Sequence, residues 1–165
     1  MTAESESELK FEIGHVLLID IVGYSKLLIN EQRERLQELN ELVRKTAQFG
    51  TSEGSGMLLR IPTGDGMALV FRDSLESPVR CALEISQVLK SRPDLKVRMG
   101  IHSGPVSEVE DVSERTNIAG AGINMAQRVM DCADAGHILL SKRVAEDLAE
   151  YRRGMPPCMI SGNAR

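Results

Sequence analysis

The sequence predicts an α+β domain in which one mixed β-sheet carries helices packed mainly on one face. Three observations predict it. A continuously apolar run near the start reads as a strand buried on both faces. Stretches of helical period alternate with short apolar runs, and 165 residues with 42% apolar content suit a single compact core.

Taken in order, residues 1–10 alternate serine and glutamate with little to bury, so a flexible acidic lead-in is expected before a domain spanning residues 11–151. The run His15-Val16-Leu17-Leu18-Ile19-Asp20-Ile21-Val22 is apolar except at Asp20 and reads as a central strand that Gly23 ends. Leu28, Leu36, Leu39, Val43 and Ala47 recur at helical spacing among charged residues, which predicts one amphipathic helix or two short ones over residues 25–49, broken by the glycines of 50–56. Residues 57–61 and 67–71 are short apolar segments around Pro62-Thr63-Gly64-Asp65-Gly66, a hairpin whose loop carries a second acid. A helix follows over 74–90, then a central strand over 97–102, a turn at Gly104-Pro105 and a partner strand over 106–112. Residues 119–132 read as a helix, 138–140 as a short strand, and Ser141 as the cap of a last helix over 142–151. The order β-α-ββ-α-ββ-α-β-α suits a ferredoxin-like mixed sheet.

Composition narrows the function. A formal net charge of -4 and 3% aromatic residues leave no extended basic face and no row of stacking rings for nucleic acid. Cys81, Cys132 and Cys158 are widely spaced and odd in number, as reduced thiols are. No apolar stretch approaches a membrane span and the N-terminus is not signal-like, so a cytoplasmic chain without a membrane segment is expected.

A carboxylate inside a buried apolar run is costly to ionise without compensation, so Asp20 needs a partner. A hydrogen bond to the turn amides of residues 23–25 would serve, and Asp65 alone could be an ordinary Asp-Gly turn. Together, two carboxylates at strand ends beside glycine-rich backbone suit Mg²⁺, which takes one or two protein carboxylates plus substrate phosphates. Two such ions would serve an in-line attack on phosphorus. Gly23-Tyr24-Ser25 opens a helix whose free amides can receive phosphate oxygens, and Gly64 lets backbone approach a ligand. Asn124 and Arg128, four apart on one helix, leave from the same face. Each alone reads as a solvated helix residue, yet Gly120 and Gly122 before them let another surface come close.

Four ordered motifs carry a resemblance. Asp20-Ile21-Val22-Gly23-Tyr24-Ser25, Thr63-Gly64-Asp65-Gly66, Arg98-Met99-Gly100-Ile101-His102-Ser103-Gly104 and Asn124-Met125-Ala126-Gln127-Arg128-Val129 resemble the successive motifs of class III nucleotidyl cyclases, across residues 16–148. The resemblance implies that Asp20, Asp65 and the carbonyl of Ile21 hold two Mg²⁺ or Mn²⁺ ions. It implies a homodimer in which Asn124 and Arg128 come from the other protomer. The reaction it implies is attack of a ribose 3′-hydroxyl on the α-phosphate of a nucleoside triphosphate, ATP first, giving a 3′,5′-cyclic nucleotide and pyrophosphate. An attached regulatory or sensory domain outside this chain fits the same family.

Two departures stand out. Ile61 and Asn117 occupy the positions where adenylyl cyclases usually carry a lysine and an aspartate or threonine that read adenine, and where guanylyl cyclases commonly carry glutamate and cysteine. The base is therefore open, and Asn117 also suits a helix N-cap. Residues 152–165 do not follow the family, which continues into a C-terminal hairpin. One codon assignment for residues 157–165, shifted by a base, reads leucine, histidine, aspartate, leucine, glycine, glutamate, cysteine, glutamate, which resembles the family's next strand, so a frameshifted or truncated end is expected. These departures also suit an alternative, a catalytically weak or inactive cyclase-derived module for nucleotide sensing or dimerisation.

Overall fold

The computed structural model of the chain describes residues 12–110 and 116–150, with side chains except at 108–110 and 116–119. The expected lead-in and the expected tail lie outside the described residues. Strand β1 (Glu12–Ile21) is followed by a short 3₁₀ turn (Tyr24–Lys26) and by helices α1 (Ile29–Arg44) and α2 (Ala47–Gly54). Then come β2 (Leu58–Pro62), β3 (Gly66–Phe71), α3 (Glu76–Leu89), β4 (Val97–Glu110), β5 (Thr116–Ala119), α4 (Ala121–Asp131), β6 (Ile138–Leu140) and α5 (Lys142–Glu150). The sheet order is β2-β3-β1-β4-β5, with β6 parallel to β4 and the other pairs antiparallel. The α+β mixed sheet is as the sequence predicts.

Alternation along β1 divides the core. Leu17, Ile19 and Ile21 face one side, where Leu39 and Val43 of α1, Phe49 of α2, Val79 and Ile85 of α3, and Val144 and Leu148 of α5 cover them. Val16 and Leu18 face the other side, where Ala126 and Met130 of α4 join Ala68, Val70 and Val106, with Leu59, Ile61 and Ile123 packed at the fringe. Each fully buried Leu or Ile contributes roughly 1.5–3 kcal/mol of apolar burial, so the four-helix side holds most of the hydrophobic stabilisation.

Two expected boundaries shift. The glycines of residues 50–56 do not break the chain at once, because α2 runs to Gly54. Its N-terminus is fixed twice over: the Phe49 N–H donates to Thr46 Oγ1 at 3.3 Å, and the Ala47 and Gln48 amides donate to the Glu84 carboxylate of α3. Burial of Phe49 and a 2.8 Å bond from Ser52 Oγ to Asp73 Oδ2 outweigh the low helix propensity of Gly50.

The second shift concerns Gly104-Pro105, which does not turn; β4 runs straight through it and pairs with β1 as far as Val106. The Met99 N–H donates to the His137 carbonyl and the Ile101 carbonyl accepts from Ser141, so odd-numbered residues of β4 aim their backbone groups at the edge shared by β6 and β5. Pro105 falls in the gap between the last β6 pair, Ile101 with Leu140, and the first β5 pair, Ser107 with Ala119. Its missing N–H therefore costs no ladder bond. The expected partner strand over 106–112 is instead the continuation of β4 to Glu110, and the strand that pairs with that end is β5.

Candidate active site

Asp20 is the penultimate residue of β1, between two strands and opposite Gly66 of β3 and Arg98 of β4. A Cβ on Gly66 would collide with the backbone of Ile19 and Asp20, so only glycine lets the hairpin tip lie against this strand end. The tip is tied down by the Ile21 N–H, which donates to the Asp65 carbonyl at 2.9 Å, while the Thr63 N–H closes the hairpin on the Gly66 carbonyl at 3.2 Å.

The Asp20 side chain is 7% exposed, and Arg98 meets it with two bonds, Nε to Oδ1 and Nη2 to Oδ2, each 2.9 Å. This fork supplies the partner that burial demands. The carboxylate in turn holds Arg98 firmly in its charged form, chiefly through the hydrogen bond. Beyond Arg98 stands Asp131, at the end of α4, whose Oδ1 accepts from Arg98 Nη2 at 3.4 Å and from Gln127 Nε2 at 2.9 Å.

Asp65 is only partly buried, yet burial raises its pKa and the Asp20 charge raises it further, against the pull of its own backbone amide and of Arg98. A carboxylate whose charge its neighbour disfavours is one that a divalent cation between them would relieve. Among the described residues, no cluster of three or more His, Cys, Asp or Glu side chains stands close enough to hold an ion by itself. The donor set of Asp20, Asp65 and the backbone at Ile21 thus fits a hard cation that draws its remaining oxygens from substrate and water, as Mg²⁺ does.

These groups line a cavity of about 330 Å³ with Val22, Gly23, Tyr24, Ser25, Arg98 and the loop Ala133, Asp134, Ala135. The structure thus brings together Asp20, Ile21, Asp65, Gly23, Tyr24 and Ser25. Gly64, exposed with φ 90°, precedes Asp65 on the tip without lining the cavity. Asn124 and Arg128 are exposed on α4 and lie outside the cavity of their own chain. Ile61 packs at the fringe of the α4-side apolar cluster, and Arg60, on the opposite face of β2, lines a separate surface hollow with Arg44 and Phe49. Asn117 lies within β5, and the N-cap of α4 is Gly120 rather than Asn117. His102, half-buried, pairs its Nδ1 with Ser141 Oγ at 2.7 Å, and burial with the Arg143 charge lowers its pKa.

The surface that Gly120 and Gly122 admit is this chain's own strand β4: a Cβ on Gly122 would stand 3.0 Å from the Gly104 carbonyl carbon. Arg98 and Asp131 are the site residues that sequence reasoning passed over. The signal for Arg98 was present, since Asp20 and Arg98 are the sole charges within the apolar cores of their two strands and each needs the other.

Fold and site together define an α+β catalytic domain built around a carboxylate pair at strand ends. The family model for the adenylate and guanylate cyclase catalytic domain matches residues 9–155, and the chain belongs to that family. It is 24% identical over 149 residues to a putative adenylate cyclase 3 of Rhizobium meliloti (strain 1021), covering 86% of this chain and 24% of that protein. Over 55 residues, 33% of this chain and 2% of the relative, it is 46% identical to an adenylate cyclase of Mycosarcoma maydis. The chain thus spans less than a quarter of the length of these curated relatives. Among solved structures, an adenylate/guanylate cyclase/hydrolase from Silicibacter pomeroyi matches with a TM-score of 0.64 and 25% identity, covering 89% of this chain and 85% of that one. No helix among the described residues is long and apolar enough to cross a membrane.

Proposed function

We propose that this chain is the catalytic domain of a cytoplasmic, homodimeric nucleotidyl cyclase that converts a nucleoside triphosphate, ATP first, to a 3′,5′-cyclic nucleotide and pyrophosphate. The observation that carries the reading is the convergence of Asp20 and Asp65 on one cavity that also presents the backbone of residues 23–25. Asp20, Asp65 and the Ile21 carbonyl would hold two Mg²⁺ or Mn²⁺ ions. When bound, such ions neutralise the triphosphate and lower the pKa of the ribose 3′-hydroxyl.

Within that frame the chain's residues have distinct tasks. The amides of Gly23, Tyr24 and Ser25 at the 3₁₀ turn receive phosphate oxygens, with Gly64 shaping the facing tip. The 3′-oxygen forms a bond to the α-phosphorus as the bond to pyrophosphate breaks, and the hydroxyl proton leaves to solvent. Asn124 and Arg128 of the partner protomer orient the ribose and stabilise charge on the α-phosphate, which agrees with their exposure on α4 away from their own cavity. Ile61 and Asn117 stand where the base would be read, and the apolar setting of Ile61 supports selection by shape there.

The experiment is incubation of the purified dimer with each of ATP, GTP, CTP and UTP plus Mn²⁺, with products identified by mass spectrometry. Cyclic product that disappears in Asp20→Ala and in Asp65→Ala supports the reading. Activity regained on mixing Asp65→Ala with Arg128→Ala chains supports the shared site. A verified dimer that forms no cyclic product from any of the four rejects catalysis by this chain.

A further inference from the structure

Both carboxylate oxygens of Asp20 are engaged by Arg98, through Nε and Nη2 at 2.9 Å each. A cation that coordinates Asp20 draws on the same two oxygens and repels the guanidinium, so it weakens both bonds. The guanidinium cannot shed its proton, so its charge has to be met elsewhere in a partly buried setting. Asp131 is already in place for that: its Oδ1 lies 3.4 Å from the same Nη2, and Gln127, one helical turn earlier on α4, fixes it with a 2.9 Å bond. The Asp131 side chain is 53% exposed against 7% for Asp20, so it keeps its hydration while accepting the guanidinium. It does not line the cavity, so its position suits a partner of Arg98 and not a ligand of the ion.

We propose that Asp131 is a positioning residue that shares Arg98 with Asp20, and that a divalent cation seated on Asp20 passes the guanidinium to Asp131. This rests on the reading of Asp20 as a cation ligand. The exchange ties the C-terminal turn of α4 to the occupancy of the carboxylate pair, because the charge released at the strand end is taken up by the helix.

Titration of the full chain with Mn²⁺ alone, followed by electron paramagnetic resonance of the free ion, tests the exchange without reference to turnover. Asp131→Asn should weaken Mn²⁺ binding about threefold to fivefold, the upper part of what a partly exposed ion pair contributes. Gln127→Ala should weaken it less, in the same direction, and carries the test if Asp131→Asn does not fold. Arg98→Gln should tighten binding by removing the competitor, and adding Asp131→Asn to Arg98→Gln should then change nothing. Unchanged affinity in Asp131→Asn, or equal weakening with and without Arg98, overturns the proposal. Asp20→Asn separates the two readings: loss of Mn²⁺ binding keeps the carboxylate pair as the ion's site, whereas wild-type affinity removes that site and the exchange with it.

Discussion

The two faces of the sheet are built on different terms. On one, four helices bury a continuous apolar cluster that includes Phe71, Leu69 and Ile85, all fully enclosed. On the other, α4 stands alone, seated through small residues: Ala126 is buried, Gly122 touches Gly104, and Gly100 lies beneath Met130. The first face is held by the volume of its side chains. The second is held by how closely backbones approach, which fixes the helix in place with little apolar area. The helix that carries Asn124, Arg128 and Asp131 is therefore placed accurately but backed by few apolar contacts, and its outer side exposes Met125.

Substitutions can break this contrast in order of size. Phe71→Ala on the crowded face should cost about 3–5 kcal/mol, read from denaturant midpoints. On the sparse face, Gly100→Ala places a Cβ 2.6 Å from the Met130 amide nitrogen. A stability loss of about 1–3 kcal/mol is expected, with cyclic-product formation falling by more than that loss explains. Wild-type turnover in this variant would show that the seat of α4 is not critical. Ser141→Ala removes the acceptor of the Val144 amide, 3.3 Å away, and the partner of His102, and should cost about 1 kcal/mol in thermal unfolding.

Histidine titration gives a finer comparison, because His15 serves the crowded face and His102 the other. Burial lowers both pKa values, opposed at His15 by Asp73 and Asp147 and reinforced at His102 by Arg143. The unfolded chain binds a proton near the ordinary imidazole value of 6.5 while the folded chain resists it. The stability these two histidines contribute is thus complete above that pH and declines as pH falls from there through the folded pKa. His15→Gln and His102→Gln should each flatten part of that decline in pH-dependent melts, and a decline unchanged in both would place its origin in the carboxylates. Smallest of all, Met125→Ala should shift stability by less than about 0.5 kcal/mol. Sedimentation equilibrium would reveal whether it weakens self-association, as expected if the outer side of α4 meets a second copy.

Much of this architecture was legible beforehand where one residue type decided the outcome. The apolar run around Leu17 and Leu18 defined β1, and the glycines flanking Asp65 marked the hairpin tip that reaches Asp20. What stayed hidden depended on partners distant in sequence. Gly50 reads as a helix breaker until Thr46 and Glu84 are seen to anchor α2, and Gly104-Pro105 reads as a turn until the gap between β6 and β5 is known. Arg98 was present in a recognisable motif, but its pairing with Asp20 required the β1–β4 register. Asp131 carried no sequence signal, because an aspartate ending an exposed helix looks like many others.

Past Pro105 the molecule changes character. Among the described residues, β4 leaves β1 after Val106 and continues to Glu110 with β5 as its only paired strand. A lone two-stranded ribbon is marginal in water, so its order is borrowed from whatever it rests on. Amide hydrogens of residues 107–110 should accordingly exchange well before those of 97–103 in the monomer. The proline that leaves the ladder intact also marks where the rigid sheet gives way to an arm whose firmness depends on company.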